Sequence, residues 1–198
     1  MMKKSLKSAA ALVGIGMMAI PLTAAVNSRS AGILDASAVF AETTASTAAQ
    51  KEVTAILKQI QVRARATSEH AAKLESFARG REVGFQTHAY ELNRAAGAIN
   101  AMGTDLSRLQ ALRAEALPWQ QMVINRLEPM LAGIAEHTTD AIEGLNANMA
   151  RMNVAEYRES IGNVSDYSDQ VRNLISANVD YAKARERLNR LQTLQVES

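Results

Sequence analysis

The sequence contains no cysteine. This absence excludes disulfide bonds, thiolate zinc sites, iron–sulfur clusters, cysteine nucleophiles and covalent haem attachment, and it excludes a lipoprotein anchor. Proline occurs only three times, and aromatic residues make up 4% of the 198 residues. A composition with few of these residues and many Ala, Leu, Gln, Arg and Glu is typical of a helical protein. A chain of this length most often forms one domain.

The chain has little excess charge once its N-terminal segment is set aside. The pI of about 9.0 is that of a basic protein. However, Lys3, Lys4, Lys7 and Arg29 supply four of the 22 basic residues, and Asp35 is the only acidic residue before Glu42. From residue 42 onward, 18 basic residues face 19 acidic residues, a net charge of −1. The basicity therefore belongs mostly to the N-terminal segment, and nucleic acid is not expected as a partner.

Residues 1–25 have the pattern of a secretory signal peptide. Three early lysines precede an uncharged apolar run at residues 9–20, Pro21 ends the run, and small residues follow. We predict cleavage after Ala25, with Ala41 as a second possible site. Retention as a membrane anchor is the alternative, although the run is shorter than the roughly 18 residues that a membrane helix needs. The expected location is periplasmic or extracellular.

Residues 26–46 are rich in Ala, Ser and Thr without a sustained period, which predicts a flexible lead-in. Thr47 and Gln50 fit a capping box, so the first helix is expected at residues 47–79, with Gly80 as a left-handed stop. Its buried stripe follows alternating steps of four and three. The stripe consists of Val53, Leu57, Ile60, Ala64, Thr67, Ala71, Leu74 and Ala78.

Three further helices repeat this spacing. The second is predicted at residues 87–115, where Gly97 and Gly103 each cost about 1 kcal/mol relative to Ala unless a neighbouring helix needs close approach. The third begins at Pro118 and passes through Pro129; the fourth begins with a capping sequence at residues 153–156 and includes Leu188 near its buried seam. We therefore predict an all-α fold, an up-down-up-down four-helix bundle at residues 47–192 followed by a tail at residues 193–198. Three longer helices, without the break near residue 153, are the alternative.

His88 and Glu91 are the only weak candidates for a metal pair. Their order is the reverse of the Glu-x-x-His motif of di-iron bundles, and no second copy exists. The other interpretation of His88 is an aromatic plug near the end of the bundle. Haem bound without covalent attachment stays open, but methionines at helical spacing are more often core filler, and no cofactor is predicted. No Ser/His/Asp set, glycine-rich phosphate loop or zinc-helix motif occurs, so the chain is expected not to be an enzyme.

Two further features are candidate sites. Thr67, Thr138 and Ser168 are expected at one height in the middle of the bundle, where they form either a zone of close helix approach or a small hydrated or ligand-holding cavity. Trp119, the only tryptophan, is either a cap over the bundle end or an exposed anchor for a partner.

The sequences QTHAYELN at residues 86–93 and PWQQ at residues 118–121, together with residues 102–113, resemble a group of uncharacterised secreted helical proteins from bacteria. The resemblance covers most of the chain after residue 47. It implies an envelope protein of unknown role and assigns no site residues. The expected function is therefore that of a non-enzymatic exported bundle that binds another envelope protein or a surface. The alternative is a carrier of a small molecule, haem or metal in the bundle core.

Overall fold

The protein is a four-helix bundle in a computed structural model that describes residues 36–80, 83–147 and 154–196. The helices are α1 (Ala36–Arg79), α2 (Phe85–Ala111), α3 (Pro118–Ala147) and α4 (Ala155–Val196), and a turn of 3₁₀ helix lies at Arg113–Glu115. The described residues contain no strand. The all-α prediction is confirmed, and α3 and α4 are separate helices. The predicted cap at Asn153 and the predicted signal peptide lie outside the described residues.

Each helix runs antiparallel to the next one. Arg63 and His70 of α1 pair with Asp105 and Glu91 of α2 respectively, so the later residue of α1 meets the earlier residue of α2. The segments on the two sides of the connection before Pro118 are related in the same way. Gln110 contacts Glu128, and Arg113, which is closer to that connection, contacts Asn125, which is also closer to it. Contacts also join α1 to α4 and α3 to α4. The short connections predicted from the sequence enforce this up-down-up-down order.

The start of α1 differs from the prediction. The helix begins at Ala36, so residues 36–46 are helical and not a flexible lead-in. This segment contains alanine repeatedly and neither glycine nor proline, and such a composition supports a helix without apolar periodicity. Thr47 lies inside α1, where Gln50 Nε2 donates to the hydroxyl of Ser46 at 3.0 Å instead of forming a capping box.

The end of α1 lies where the sequence predicts it, but for a different reason. The helix ends at Arg79, and the amide of Gly80 donates to the carbonyl of Ser76 at 3.2 Å. Gly80 does not have a positive φ, so the left-handed stop expected there is wrong. The next helix begins after Gly84, whose extended backbone precedes Phe85.

The core lies along the seam predicted from α1. All eight residues of that stripe, from Val53 to Ala78, are buried. Large buried side chains from the other helices complete the core along this seam. They include Leu92, Met102, Leu109, Leu127, Ile134, Ile161 and Ile175.

The end of α4 extends beyond this core. Gly144 of α3 lies against Tyr157 of α4, and Gly133 lies against Tyr167. In this antiparallel register, the start of α3 at Pro118 lies beside residue 182 of α4. Beyond that level α4 has no α3 beside it. Leu188, predicted near the buried seam, is accordingly 59% exposed, and residues 193–196, predicted as a tail, belong to the helix.

Candidate functional site

His88 forms a buried polar contact with the start of α4. Its Nδ1 lies 2.9 Å from the hydroxyl of Tyr157, and its ring meets Phe77 edge-on. Burial lowers the pKa of His88 and raises the pKa of the Tyr157 phenol, so both groups are held neutral. Nε2 of His88 is buried and has no hydrogen-bond partner among the described residues. The arrangement matches the aromatic plug and leaves one polar atom unsatisfied.

Glu91 points to a different neighbour from His88. It accepts a hydrogen bond from Nδ1 of His70 at 2.5 Å, because a carboxylate can only accept, and Lys73 Nζ lies 4.0 Å away. The side chains of His70 and Glu91 are only 13% and 12% exposed. The two weak metal candidates thus belong to separate polar contacts. Within the described residues, no group of three or more His, Cys, Asp or Glu side chains could hold a metal ion.

The three hydroxyl residues expected in the middle of the bundle are all buried. Each donates to the carbonyl four residues earlier in its own helix: Thr67 to Arg63, Thr138 to Ile134 and Ser168 to Val164. The hydroxyl donors are therefore satisfied without a ligand. Ser68 and Ser165, which lie 3.3 Å apart at their hydroxyl oxygens, show that α1 and α4 approach closely at this height. This contact favours close packing as the interpretation of the small residues.

A groove of about 310 Å³ lies between the end of α3 and the start of α4. It is lined by His137, Asp140, Gly144, Glu156, Tyr157, Glu159, Ser160 and Asn163. The groove is acidic and open to solvent, since Asp140, Glu156 and Glu159 are exposed. The sequence did not predict it, because its two sides meet only when α3 and α4 fold antiparallel. The clue was the presence of acidic residues on both sides of the predicted break.

Trp119 is half-buried and packs against the core. This packing matches the predicted cap over the end of the bundle. The residue beside it, Gln120, is fully buried and was missed by the sequence reasoning. Its amide donates to the carbonyl of Gln50 and to the hydroxyl of Thr54, and its Oε1 accepts from the amide of Leu117. Gln120 thus joins the first turn of α3 to α1.

Several of the large apolar side chains that the described residues expose lie towards the end of α4. Four of them form what we call the C-terminal apolar face: Tyr181, Leu188, Leu191 and Leu194, which are 61%, 59%, 54% and 63% exposed. Leu188 follows the buried Val179 by about two and a half helical turns, and so lies on the opposite side of α4 from the core. The apolar side of α4 therefore faces the core up to Val179 and faces away from it at Leu188. No described residue buries this face.

No protein-family model, curated protein or solved structure matches the chain. Among the described residues, no helix combines the length and apolar content needed to cross a bilayer.

Proposed function

We propose that the chain is an exported, non-enzymatic helical-bundle protein that binds a partner protein or a surface of the cell envelope. The described bundle is the scaffold, and the C-terminal apolar face is the element that makes contact. The N-terminal lysines, the apolar run at residues 9–20 and the small residues before Val26 support export.

The C-terminal apolar face is the observation that carries the proposal. Single exposed apolar residues are common on soluble proteins, but Leu188, Leu191 and Leu194 lie within two turns of one helix. Aromatic and leucine side chains at helical spacing are the usual anchors by which an amphipathic helix binds a groove or a surface. The bundle does not need these side chains, because its seam ends at Val179. A role outside the bundle explains their presence best.

Photocrosslinking in cells that produce the protein tests the contact. A photoreactive residue at Leu191 should give crosslinked species, whereas the same residue at Val62 of α1, which is 69% exposed, should not. Val62 is the matched control because it is also a large apolar side chain in a helix. Equal crosslinking at the two positions, or none at Leu191 in cells with normal amounts of folded protein, would refute the proposal.

Export is tested on the same cells. Fractionation should recover the protein outside the cytoplasm, and mass spectrometry should find an N-terminus at Val26. An N-terminus at Glu42 would support export with the second cleavage site. A full-length protein that stays in the cytoplasm would overturn the proposed location.

A further inference from the structure

We propose that the C-terminal apolar face binds a lipid surface that carries acidic phospholipids. This inference rests on the proposed function and specifies its partner.

The end of α4 is basic, although the rest of the described chain is not. Residues 180–196 contain Lys183, Arg185, Arg187 and Arg190 against Asp180 and Glu186, a net charge of +2. Residues 42–179 contain 14 basic and 16 acidic residues, a net charge of −2. The positive charge is therefore concentrated on the segment that exposes the apolar side chains. An apolar helix face bordered by cations is the pattern of helices that lie in the interface of an acidic membrane.

Two of these cations have no acidic partner. Arg190 pairs with Glu186, and Lys183 pairs with Asp180. Arg185 and Arg187 form no ion pair among the described residues, and both are exposed. Arg185 precedes Leu188 by three residues, and Arg187 precedes Leu191 by four, so each arginine adjoins a leucine on the helix surface. Long arginine side chains can reach phosphate groups while the leucines enter the acyl boundary.

The same charges disfavour a second copy as the occupant. A parallel pairing of two C-terminal apolar faces would bring Arg185 and Arg187 of one chain close to the same residues of the other. Like charges across such a contact are destabilising, and the contact would contain only a few leucines from each chain. An acidic lipid surface supplies both the missing negative charge and an apolar layer.

The position of the face permits this contact without unfolding. Leu188 and Leu191 point away from the core, and α4 extends past the start of α3 at Pro118. The start of α1 lies at the same end of the bundle, because Ser68 meets Ser165 in an antiparallel register. The outer side of α4 can therefore contact the lipid while the bundle stays folded.

The test uses the absence of cysteine in the chain. A Leu194→Cys variant of the protein purified after export is labelled with an environment-sensitive fluorophore, and Val62→Cys is the labelled control. Vesicles of phosphatidylcholine with phosphatidylglycerol should shift the emission at position 194 to the blue and leave position 62 unchanged. Vesicles of phosphatidylcholine alone should shift neither. The labelled sample is the form whose N-terminus mass spectrometry places at Val26, so the apolar run at residues 9–20 is absent and cannot bring position 194 to the lipid.

Two variants separate the charge contribution from the apolar contribution. In the labelled protein, Arg185→Gln/Arg187→Gln and Leu188→Ser/Leu191→Ser should each weaken binding to the acidic vesicles by about tenfold or more. Arg126→Gln, which changes an exposed arginine of α3, should leave it unchanged. Raising the salt concentration should weaken binding of the unsubstituted protein, because exposed charges are screened. Circular dichroism should show that all variants remain helical.

The outcomes distinguish this inference from the proposed function. If position 194 fails to respond to acidic vesicles but Leu191 still crosslinks to a protein in cells, the lipid proposal fails and the interaction role stands. A blue shift that depends on protein concentration without vesicles would show a second copy as the occupant and overturn the lipid proposal. A response of equal size to neutral vesicles would also overturn it. Absence of both the shift and the crosslink would refute both proposals.

Discussion

Nδ1 of His88 lies 2.9 Å from the hydroxyl of Tyr157, and this buried contact joins α2 to the first turn of α4. His88 is fully buried, and its other ring nitrogen has no partner among the described residues. The contact therefore satisfies one of the two polar atoms of the ring. The α1–α2 and α3–α4 connections lie at the same end of the bundle, and the contact links the starts of α2 and α4 there.

Removing the phenol hydroxyl should destabilise the protein. Tyr157→Phe keeps the ring but leaves both nitrogens of His88 buried without a partner, which should lower the free energy of unfolding by about 1–2 kcal/mol. Tyr181→Phe is the control, because Tyr181 is 61% exposed and should change stability by less than about 0.5 kcal/mol. Denaturant unfolding of the three proteins measures the difference. Equal stability of Tyr157→Phe and the unsubstituted protein would show that the hydrogen bond contributes nothing.

The stability of the bundle should fall as the pH drops below about 6.5. Burial lowers the pKa of His88 from its ordinary value of 6.5, so the folded state binds this proton less readily than the unfolded chain does. The contribution of the neutral ring is fully present above the unfolded pKa and is lost as the pH falls towards the folded pKa. For one proton, the slope can reach about 1.4 kcal/mol per pH unit.

A comparison with His88→Gln isolates this residue from His70 and His137. Unfolding free energies measured from pH 8 to pH 5 should fall more steeply for the unsubstituted protein than for His88→Gln. The variant can be less stable at every pH without affecting the comparison, because the difference in slope is the readout. Parallel curves would contradict a buried neutral His88.

The sequence was sufficient for the elements whose burial depends on local spacing. The seam from Val53 to Ala78 is predictable because steps of four and three place the residues on one side of a helix. The prediction failed at Leu188, which follows the buried Val179 by about two and a half helical turns and so lies on the opposite side of α4 from the seam. The four–three spacing therefore does not reach Leu188, although its apolar side chain is typical of a buried residue.

The polar contacts were less predictable. Glu91 could be paired with His88 from spacing alone, but the structure pairs it with His70 on α1. Gln120 looked like an ordinary helix residue, since its partners Gln50 and Thr54 are far away in sequence. Contacts between helices require the register of the bundle, which this single sequence did not provide.

Two glycine substitutions should have opposite effects on stability. Gly97 has nothing within 4 Å of an added Cβ, so Gly97→Ala should stabilise α2 by about 1 kcal/mol. A Cβ at Gly133 would lie 3.1 Å from the ring of Tyr167, which stacks on His137. Gly133→Ala should therefore be less stable than Gly97→Ala by about 1 kcal/mol or more. The thermal unfolding midpoints of the two variants give the ranking.

The Tyr167 ring supplies the internal control for this ranking. In a Tyr167→Ala background the clash is absent, so adding Gly133→Ala should recover the stabilisation expected for alanine in a helix. Gly133→Ala could instead stabilise the unsubstituted protein as much as Gly97→Ala does. That result would mean that the Tyr167 ring moves aside without a loss of unfolding free energy, and that the close approach of α3 and α4 does not affect stability.

Gln120→Ala should destabilise the junction between α1 and α3. The substitution removes two hydrogen bonds to α1 and one to the amide of Leu117, at 2.8, 2.9 and 2.8 Å. Because Gln120 is fully buried, water cannot replace these bonds without a rearrangement, and a loss of about 2–3 kcal/mol is expected. Gln110→Ala is the matched control, since Gln110 is exposed and reaches Glu128 only at 3.5 Å. Equilibrium unfolding should rank Gln120→Ala well below Gln110→Ala, and equal stabilities would mean that α1 and α3 are held together by apolar packing alone.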